Sequence, residues 1–143
     1  MASEEELVRA ADTKFFDALE QLLVGGDPAV MGAAWHQTSA VTSRHPNGDW
    51  ANGWQEVYAF WTGFVGFGRA DRGGSRVRSR GVHVCGDLAY TTVVFVCAPA
   101  FGGDTLNCTN VLQRIDGVWK VVHHHADPSP SMGAALEKMM AEL

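Results

Sequence analysis

The sequence has few charged residues, few cysteines and no long apolar run. Charged residues make up 19% of the 143 residues, and the formal net charge is −5. Nucleic acid and anionic membrane surfaces are therefore not expected as partners. No stretch approaches the roughly 20 apolar residues of a membrane-spanning helix, and the acidic N-terminus lacks the apolar core of a signal peptide. These absences predict a cytoplasmic protein.

The cysteines do not form a recognisable framework. Cys85, Cys97 and Cys108 are odd in number and show no CxxC spacing. This pattern is typical of reduced thiols in the cytosol and argues against structural disulfides. We expect all three to be buried, since free cysteine behaves as a small hydrophobic residue.

Cap signals and apolar periodicity place helices in the first half of the chain. Ser3 and Glu6 form a capping-box pattern, and the apolar stripe behind them predicts a helix to about Val24. A short second helix is predicted over residues 28–35. After a brief strand, Asn52 is positioned to cap a third helix.

Strand signals dominate the second half. Gly86-Asp87 and Asp116-Gly117 are two-residue hairpin signals between long β-rich segments. They predict four long antiparallel strands, followed by a terminal helix that begins at Pro130. Helices followed by a meander predict an α+β domain with helices on one face of a curved sheet. We expect residues 1–143 to form a single domain.

Three consecutive histidines lie in the last predicted strand. Because side chains alternate along a strand, His123 and His125 should share the face of Trp119, and His124 the face of Lys120. Lysine prefers water, so the Trp119 face is expected to be the one covered by helices. His124 would then face solvent or a partner subunit. His123 and His125 would be either core residues or titratable groups that line a cavity.

A metal site is not predicted at these histidines. One ion could not reach all three, because His124 faces away from its neighbours. The other two would need a third ligand, and the obvious candidates are His45, His83 and Asp127. None of these lies at helical or loop spacing from the pair. We expect no metal and no other cofactor.

Aromatic residues cluster on the third predicted helix. Trp54, Tyr58 and Trp61 share one face, and Trp35 ends the second helix. Such a face is either core or the apolar wall of a pocket, with the tyrosine hydroxyl as a polar handle. In the second case, the predicted ligand-binding residues are Trp35, Trp54, Tyr58, Trp61, His83 and His123.

Three arginines alternate along the first long strand. Strict alternation would put Arg76, Arg78 and Arg80 on one face. They form either a solvated or dimer-contact stripe or a rim that binds a carboxylate.

Several segments resemble one superfamily. They are "GGDP" at 25–28, "VHVCGDLAY" at 82–90 and "TNVLQRIDGVWKVVHHHADP" at 109–128. With the order of the elements, they resemble the nuclear transport factor 2-like fold and, within it, the SnoaL-like proteins. The last two segments are also similar to the association domain of calcium/calmodulin-dependent kinase II. The resemblance implies a cone-like, cystatin-like sheet wrapped by N-terminal helices, an extra C-terminal helix, a partly apolar conical pocket, and a homodimer through the outer sheet face.

The ketosteroid isomerases share this fold, and the resemblance implies roles for individual residues. His45, before a proline at the end of the first strand, takes the place of their catalytic base. Asn110 takes the place of a protonated aspartate that donates to the oxyanion. An apolar residue near Phe16 or Leu19 replaces their tyrosine donor.

The predicted catalytic residues are accordingly His45, Asn110 and His125, with His123 as the alternative to His125 as an auxiliary acid. His45 could instead be a strand-end residue bonded to the following turn.

Three function classes follow from the resemblance. The chain is an isomerase- or dehydratase-type enzyme that acts on a small carbonyl or carboxylate compound, a ligand-binding protein without turnover, or an assembly module like the association domain. We expect a stand-alone SnoaL-like homodimer with a small-molecule ligand.

Overall fold

Helices precede long strands in the computed structural model, which describes residues 1–46, 48–63, 73–99, 103–128 and 130–143. The helices are α1 (Glu4–Leu23), α2 (Ala29–Gly32), α3 (Gly53–Gly63) and α4 (Pro130–Ala141). The strands are β1 (Thr42–Arg44), β2 (Trp50–Asn52), β3 (Arg76–Cys85), β4 (Leu88–Val96), β5 (Thr105–Ile115) and β6 (Val118–Pro128). Within these ranges, no helix combines the length and apolar character needed to cross a membrane.

The first helix forms as its sequence predicts. The Ser3 hydroxyl accepts a hydrogen bond from the Glu6 N–H, and the Glu6 carboxylate accepts one from the Ser3 N–H, each at 3.2 Å. This capping box satisfies N–H groups that the first turn leaves open. The stripe behind it is buried, from Val8 to Leu22, and this stripe holds α1 against the sheet.

In the described part of the chain, the sheet contains six strands in the order β2-β1-β6-β5-β4-β3. β1 is parallel to β6, and the other neighbouring pairs are antiparallel. The four long strands were predicted correctly. Asp116 and Gly117 both have positive φ, 52° and 78°, as a tight hairpin turn requires. The short strand β2 was not predicted, and the second helix is a single turn that ends before Trp35.

A bulge in β6 decides which histidine faces the helices. Leu112 pairs with Val121 but Val111 pairs with His123, so Val122 is an extra residue. Beyond this bulge the alternation is reversed, and His124 is only 3% exposed. The prediction that His124 faces away from the helices was wrong, because strict alternation takes no account of a bulge.

A second bulge has the same effect in β3. Val77 pairs with Phe95 and Ser79 with Val94, which leaves Arg78 as the extra residue. Arg80 therefore lies on the helix-covered face, where its Nε is 2.7 Å from the Asp12 carboxylate. The prediction of one arginine face was wrong for this reason.

The cysteines differ in exposure. Cys97 and Cys108 are buried, as predicted, whereas Cys85 is exposed at the end of β3. The prediction was wrong for Cys85, because it pairs with Leu88 on the uncovered face of the hairpin. All three are free thiols.

Candidate functional site

A cavity of about 290 Å³ lies between the inner face of the sheet and the helices. Most of its lining is apolar, and α4 contributes Leu136, Met139 and Met140 to it. The lining residues with polar or polarisable atoms are His45, His124, Trp61, Cys97, Cys108, Met139 and Met140. Among the described residues that line the cavity there is no aspartate, glutamate, lysine or arginine. The lining thus presents mostly apolar surface and few polar atoms.

His45 reaches the cavity from the end of β1. Its ring is stacked on Phe60, with centroids 3.2 Å apart, and its Nε2 is 2.7 Å from the Ser43 hydroxyl. The backbone closes the following turn, because the Gly48 N–H donates to the His45 carbonyl at 2.8 Å. His45 is therefore both bonded to the following turn through its backbone and part of the cavity lining through its ring. Burial lowers the pKa of His45 to about 3, so the ring is neutral near pH 7.

His124 reaches the same cavity from β6. Its ring packs against Phe15, with centroids 4.7 Å apart, and lies 6.4 Å from the ring of His45. Its Nδ1 is 2.7 Å from Oδ1 of Asn110. Burial, assisted by nearby His45, lowers the pKa of His124 well below its ordinary value. The cavity therefore contains two neutral imidazoles.

Asn110 lies behind His124 and is not among the cavity-lining residues. It is fully buried, and its Nδ2 donates to Oδ1 of Asp12 at 2.9 Å. Both ends of the amide are therefore engaged within the protein. The residue predicted as an oxyanion donor instead links a buried carboxylate to a cavity histidine.

Asp12 belongs to the hydrogen-bonded groups behind the cavity, and it was not predicted from the sequence. It is fully buried on α1, and besides Asn110 it accepts a hydrogen bond from the Thr91 hydroxyl and one from the Arg80 guanidinium, both at 2.7 Å. A signal was present in the sequence, because Asp12 follows Val8 by four residues on the apolar stripe of α1. A carboxylate at such a position requires buried partners.

The predicted aromatic wall is only partly in the cavity. Trp61 lines it. Trp35 lies in the core against Trp54, at 6.2 Å between ring centroids, and Trp54 packs on Tyr58 at 5.1 Å. These three residues form a separate aromatic cluster outside the cavity lining.

The remaining predicted histidines lie on the outer face of the sheet. His83 stacks on Tyr90 with ring centroids 4.6 Å apart. The rings of His123 and His125 lie 6.3 Å and 6.0 Å from that of Trp50. The structure therefore brings His45 together with His124 and not with His125. Within the described ranges, no three His, Cys, Asp or Glu side chains are grouped as a metal site requires.

Comparison with known proteins agrees with this architecture. The SnoaL-like domain family matches the chain over residues 6–130. No curated protein matches the chain.

Solved structures with the same fold come from several bacteria. One is a protein from Thiobacillus denitrificans ATCC 25259, assigned as a calcium/calmodulin-dependent protein kinase type II association domain. It is 25% identical, the match covers 85% of this chain and 94% of that chain, and the TM-score is 0.71. A protein of the nuclear transport factor 2-like family from Streptomyces avermitilis, assigned as a dehydratase, is 24% identical (88% and 96% covered, TM-score 0.69). One from Parabacteroides distasonis ATCC 8503, assigned as a ketosteroid isomerase, is 18% identical (90% and 89% covered, TM-score 0.70). These likenesses confirm the predicted α+β fold.

Proposed function

Because the chain belongs to the SnoaL-like domain family, we propose that its cavity binds a small, mainly apolar, uncharged compound with a carbonyl or hydroxyl group. The lining of the cavity supports this proposal most directly. Apolar side chains surround about 290 Å³ and two neutral imidazoles supply ring nitrogens. That volume is at the lower end of the range of small-molecule pockets, roughly 300–1,000 Å³.

The charge of the lining argues against a carboxylate ligand. Burial disfavours the protonated form of both His45 and His124. A carboxylate in this cavity would therefore lose its hydration without gaining a cationic partner from the described lining. A carbonyl or hydroxyl group loses much less on transfer from water and needs one hydrogen bond in return.

A thermal-shift titration with compounds of one skeleton tests this proposal. Cyclohexanone and cyclohexanol are compared with cyclohexanecarboxylate, and a ligand at 100 times its Kd should stabilise the fold by about 2.7 kcal/mol. Ala126→Leu fills part of the cavity and should abolish the shift, whereas Thr92→Val on the exposed side of β4 should retain it. An equal shift in the Ala126 variant would place binding elsewhere, and no shift with any compound would refute the proposal.

The second candidate function is proton transfer on the bound compound. Two imidazoles with ring centroids 6.4 Å apart are placed for a base and a second polar group beside one carbonyl. Against it, a histidine with a pKa of about 3 is a weak base near pH 7. NMR in D₂O decides, because catalysis would exchange the hydrogens next to the carbonyl of cyclohexanone. His124→Gln and His45→Gln should then slow the exchange, and binding without exchange would exclude turnover on this ketone.

We also propose that a second copy of the chain covers the outer sheet face. Leu88, Tyr90 and Val118 are 49%, 47% and 51% exposed there, and dimers are commonly formed through self-complementary apolar surfaces. Light scattering tests it: the wild type should have twice the monomer mass, and Tyr90→Glu should reduce that mass. A monomeric wild type at high concentration would exclude the dimer.

A further inference from the structure

Behind the cavity, hydrogen bonds link Asp12 to Asn110 and Asn110 to His124. Which group donates in each of these bonds is determined by the carboxylate of Asp12. Its carboxylate is 2.7 Å from the Arg80 guanidinium and is fully buried. A carboxylate paired with arginine has acceptor atoms only. Any group in hydrogen-bond contact with Asp12 must therefore be a donor.

Asn110 has one orientation in this arrangement. The atom that lies 2.9 Å from Oδ1 of Asp12 must be the amide nitrogen, because the reverse orientation would bring two acceptors together. The amide oxygen of Asn110 is then the atom 2.7 Å from Nδ1 of His124. Since this oxygen only accepts, Nδ1 of His124 must carry a hydrogen.

The consequence for His124 concerns its other nitrogen. A neutral imidazole has one N–H, so a hydrogen on Nδ1 leaves Nε2 as an acceptor with a lone pair. Burial keeps this ring neutral. Within the part of the chain that the structure describes, Asn110 is its one hydrogen-bond partner, and the ring borders the cavity. Because Nδ1 is engaged by Asn110, Nε2 is the nitrogen of His124 that is left for a ligand in the cavity.

We propose that this cavity selects ligands that donate a hydrogen bond, namely alcohols, phenols or enols, over ketones of the same shape. The inference rests on the proposed function and narrows its ligand class. Asp12 and Asn110 act as positioning residues, because they fix the proton on His124 without touching the ligand. His45 does not discriminate in this way, since the Ser43 hydroxyl beside it can either donate or accept.

Two measurements on the wild-type protein test the inference. Long-range ¹H–¹⁵N NMR of the histidine side chains reads the tautomer, and His124 should have its hydrogen on Nδ1. Titration with cyclohexanol and cyclohexanone compares a donor with an acceptor of the same skeleton. One net hydrogen bond should make the Kd of the alcohol about five- to tenfold lower.

A variant links the preference to its cause. Asp12→Asn gives Asn110 a neighbour that can donate as well as accept, so the tautomer of His124 is no longer fixed and the preference should fall towards equality. Thr92→Val, one residue from Thr91 but on the outer face, is the matched control and should retain the full preference.

The outcomes separate the inference from the proposed function. If neither compound binds, the proposed function fails and the selectivity fails with it. If both bind and the ketone binds as tightly as the alcohol, or if His124 has its hydrogen on Nε2, this inference alone is overturned. Both wild-type measurements stand even if the Asp12 variant does not fold.

Discussion

The two faces of β6 give neighbouring histidines different surroundings. On the inner face, His124 is only 3% exposed, burial lowers its pKa, and its Nδ1 is bonded to the Asn110 amide oxygen. On the outer face, the His125 side chain is 35% exposed and lies 3.5 Å from the Asp127 carboxylate. His123, also on the outer face, contacts the Thr42 hydroxyl at 2.7 Å. Of these three rings, only that of His124 borders the cavity, so residue type and closeness in sequence do not decide which histidine lies there.

Hydrogen bonds link Arg80, Asp12, Asn110 and His124 into one inner network. The two residues at its ends, Arg80 and His124, lie on the inner face because each follows a bulge. Val122 in β6 shifts His124 inwards, and Arg78 in β3 shifts Arg80 inwards. If Val122 and Arg78 each took a regular paired position instead, strict alternation would place these two side chains on the outer face. The bulges thus allow a charged and a titratable side chain on a face that is otherwise mostly apolar.

The largest loss of stability is expected from removing the carboxylate of Asp12, which pairs with Arg80 in the inner network. Asp12→Ala leaves the Arg80 guanidinium buried without its counter-charge and should cost about 3–5 kcal/mol of the free energy of unfolding, measured by urea denaturation. Glu5→Ala removes a carboxylate from an exposed pair on the same helix and should change little. A loss below about 1 kcal/mol in the Asp12 variant would show that the network adds little to stability.

The pH dependence of stability between pH 5 and pH 6.5 should come mainly from the two histidines of the cavity, His45 and His124. Below pH ~6.5, the ordinary histidine value, the unfolded chain binds protons on His45 and His124 that the folded chain does not bind until its lower pKa, about 3 for His45. The contribution is therefore complete above pH ~6.5 and falls with decreasing pH by about 1.4 kcal/mol per pH unit for each histidine. Urea denaturation at pH 6.5 and pH 5 measures it. His45→Gln should remove about half of the slope of the free energy of unfolding against pH, and the control Thr92→Val should leave it unchanged. An unchanged slope in the His45 variant would contradict the assignment of the pH dependence to His45.

Deleting Val122 tests the bulge itself. Without this residue, ordinary alternation after Val121 would place His123 outside and His124 inside, as they are now. The deletion should therefore cost only about 1–2 kcal/mol and should leave the NMR signal of the His124 Nδ1–H in place. Loss of that signal in a folded variant would mean that the bulge does more than shift the register.

The exposed and buried cysteines should differ in their rates of reaction with a thiol reagent. Cys85 is exposed, whereas burial raises the pKa of Cys97 to about 11 and also raises that of Cys108. A thiol reagent near pH 8 should label Cys85 alone in the folded protein and all three cysteines in urea. Cys85→Ser should abolish the fast labelling, and rapid labelling of a second thiol would show that the cavity opens.

Local signals predicted most of the fold. The capping box at Ser3 and the hairpin at Asp116 act over a few residues, and both are present in the structure. β2 is three residues long, too short for periodicity to show. The bulges were missed because they depend on which residue of the partner strand is paired.

The site was less predictable than the fold for the same reason. His45 was predicted as a site residue from the family resemblance, and it lines the cavity. The chain from Asp12 to Asn110 joins residues 98 positions apart, and no local pattern encodes that contact. A single charged residue on an apolar helix face was the available signal, and it indicates only that some buried partner exists.

The parallel pairing of β1 with β6 has a consequence for folding during synthesis on the ribosome. Thr42 is paired with His123, and the indole N–H of Trp119 donates to the Glu4 carboxylate across 115 positions. The pairing of β1 and the Trp119–Glu4 contact therefore cannot form until the residues of β6 have left the exit tunnel. Folds closed by such distant contacts acquire their structure late and slowly, and the apolar side of α1 is meanwhile open to aggregation or chaperone capture.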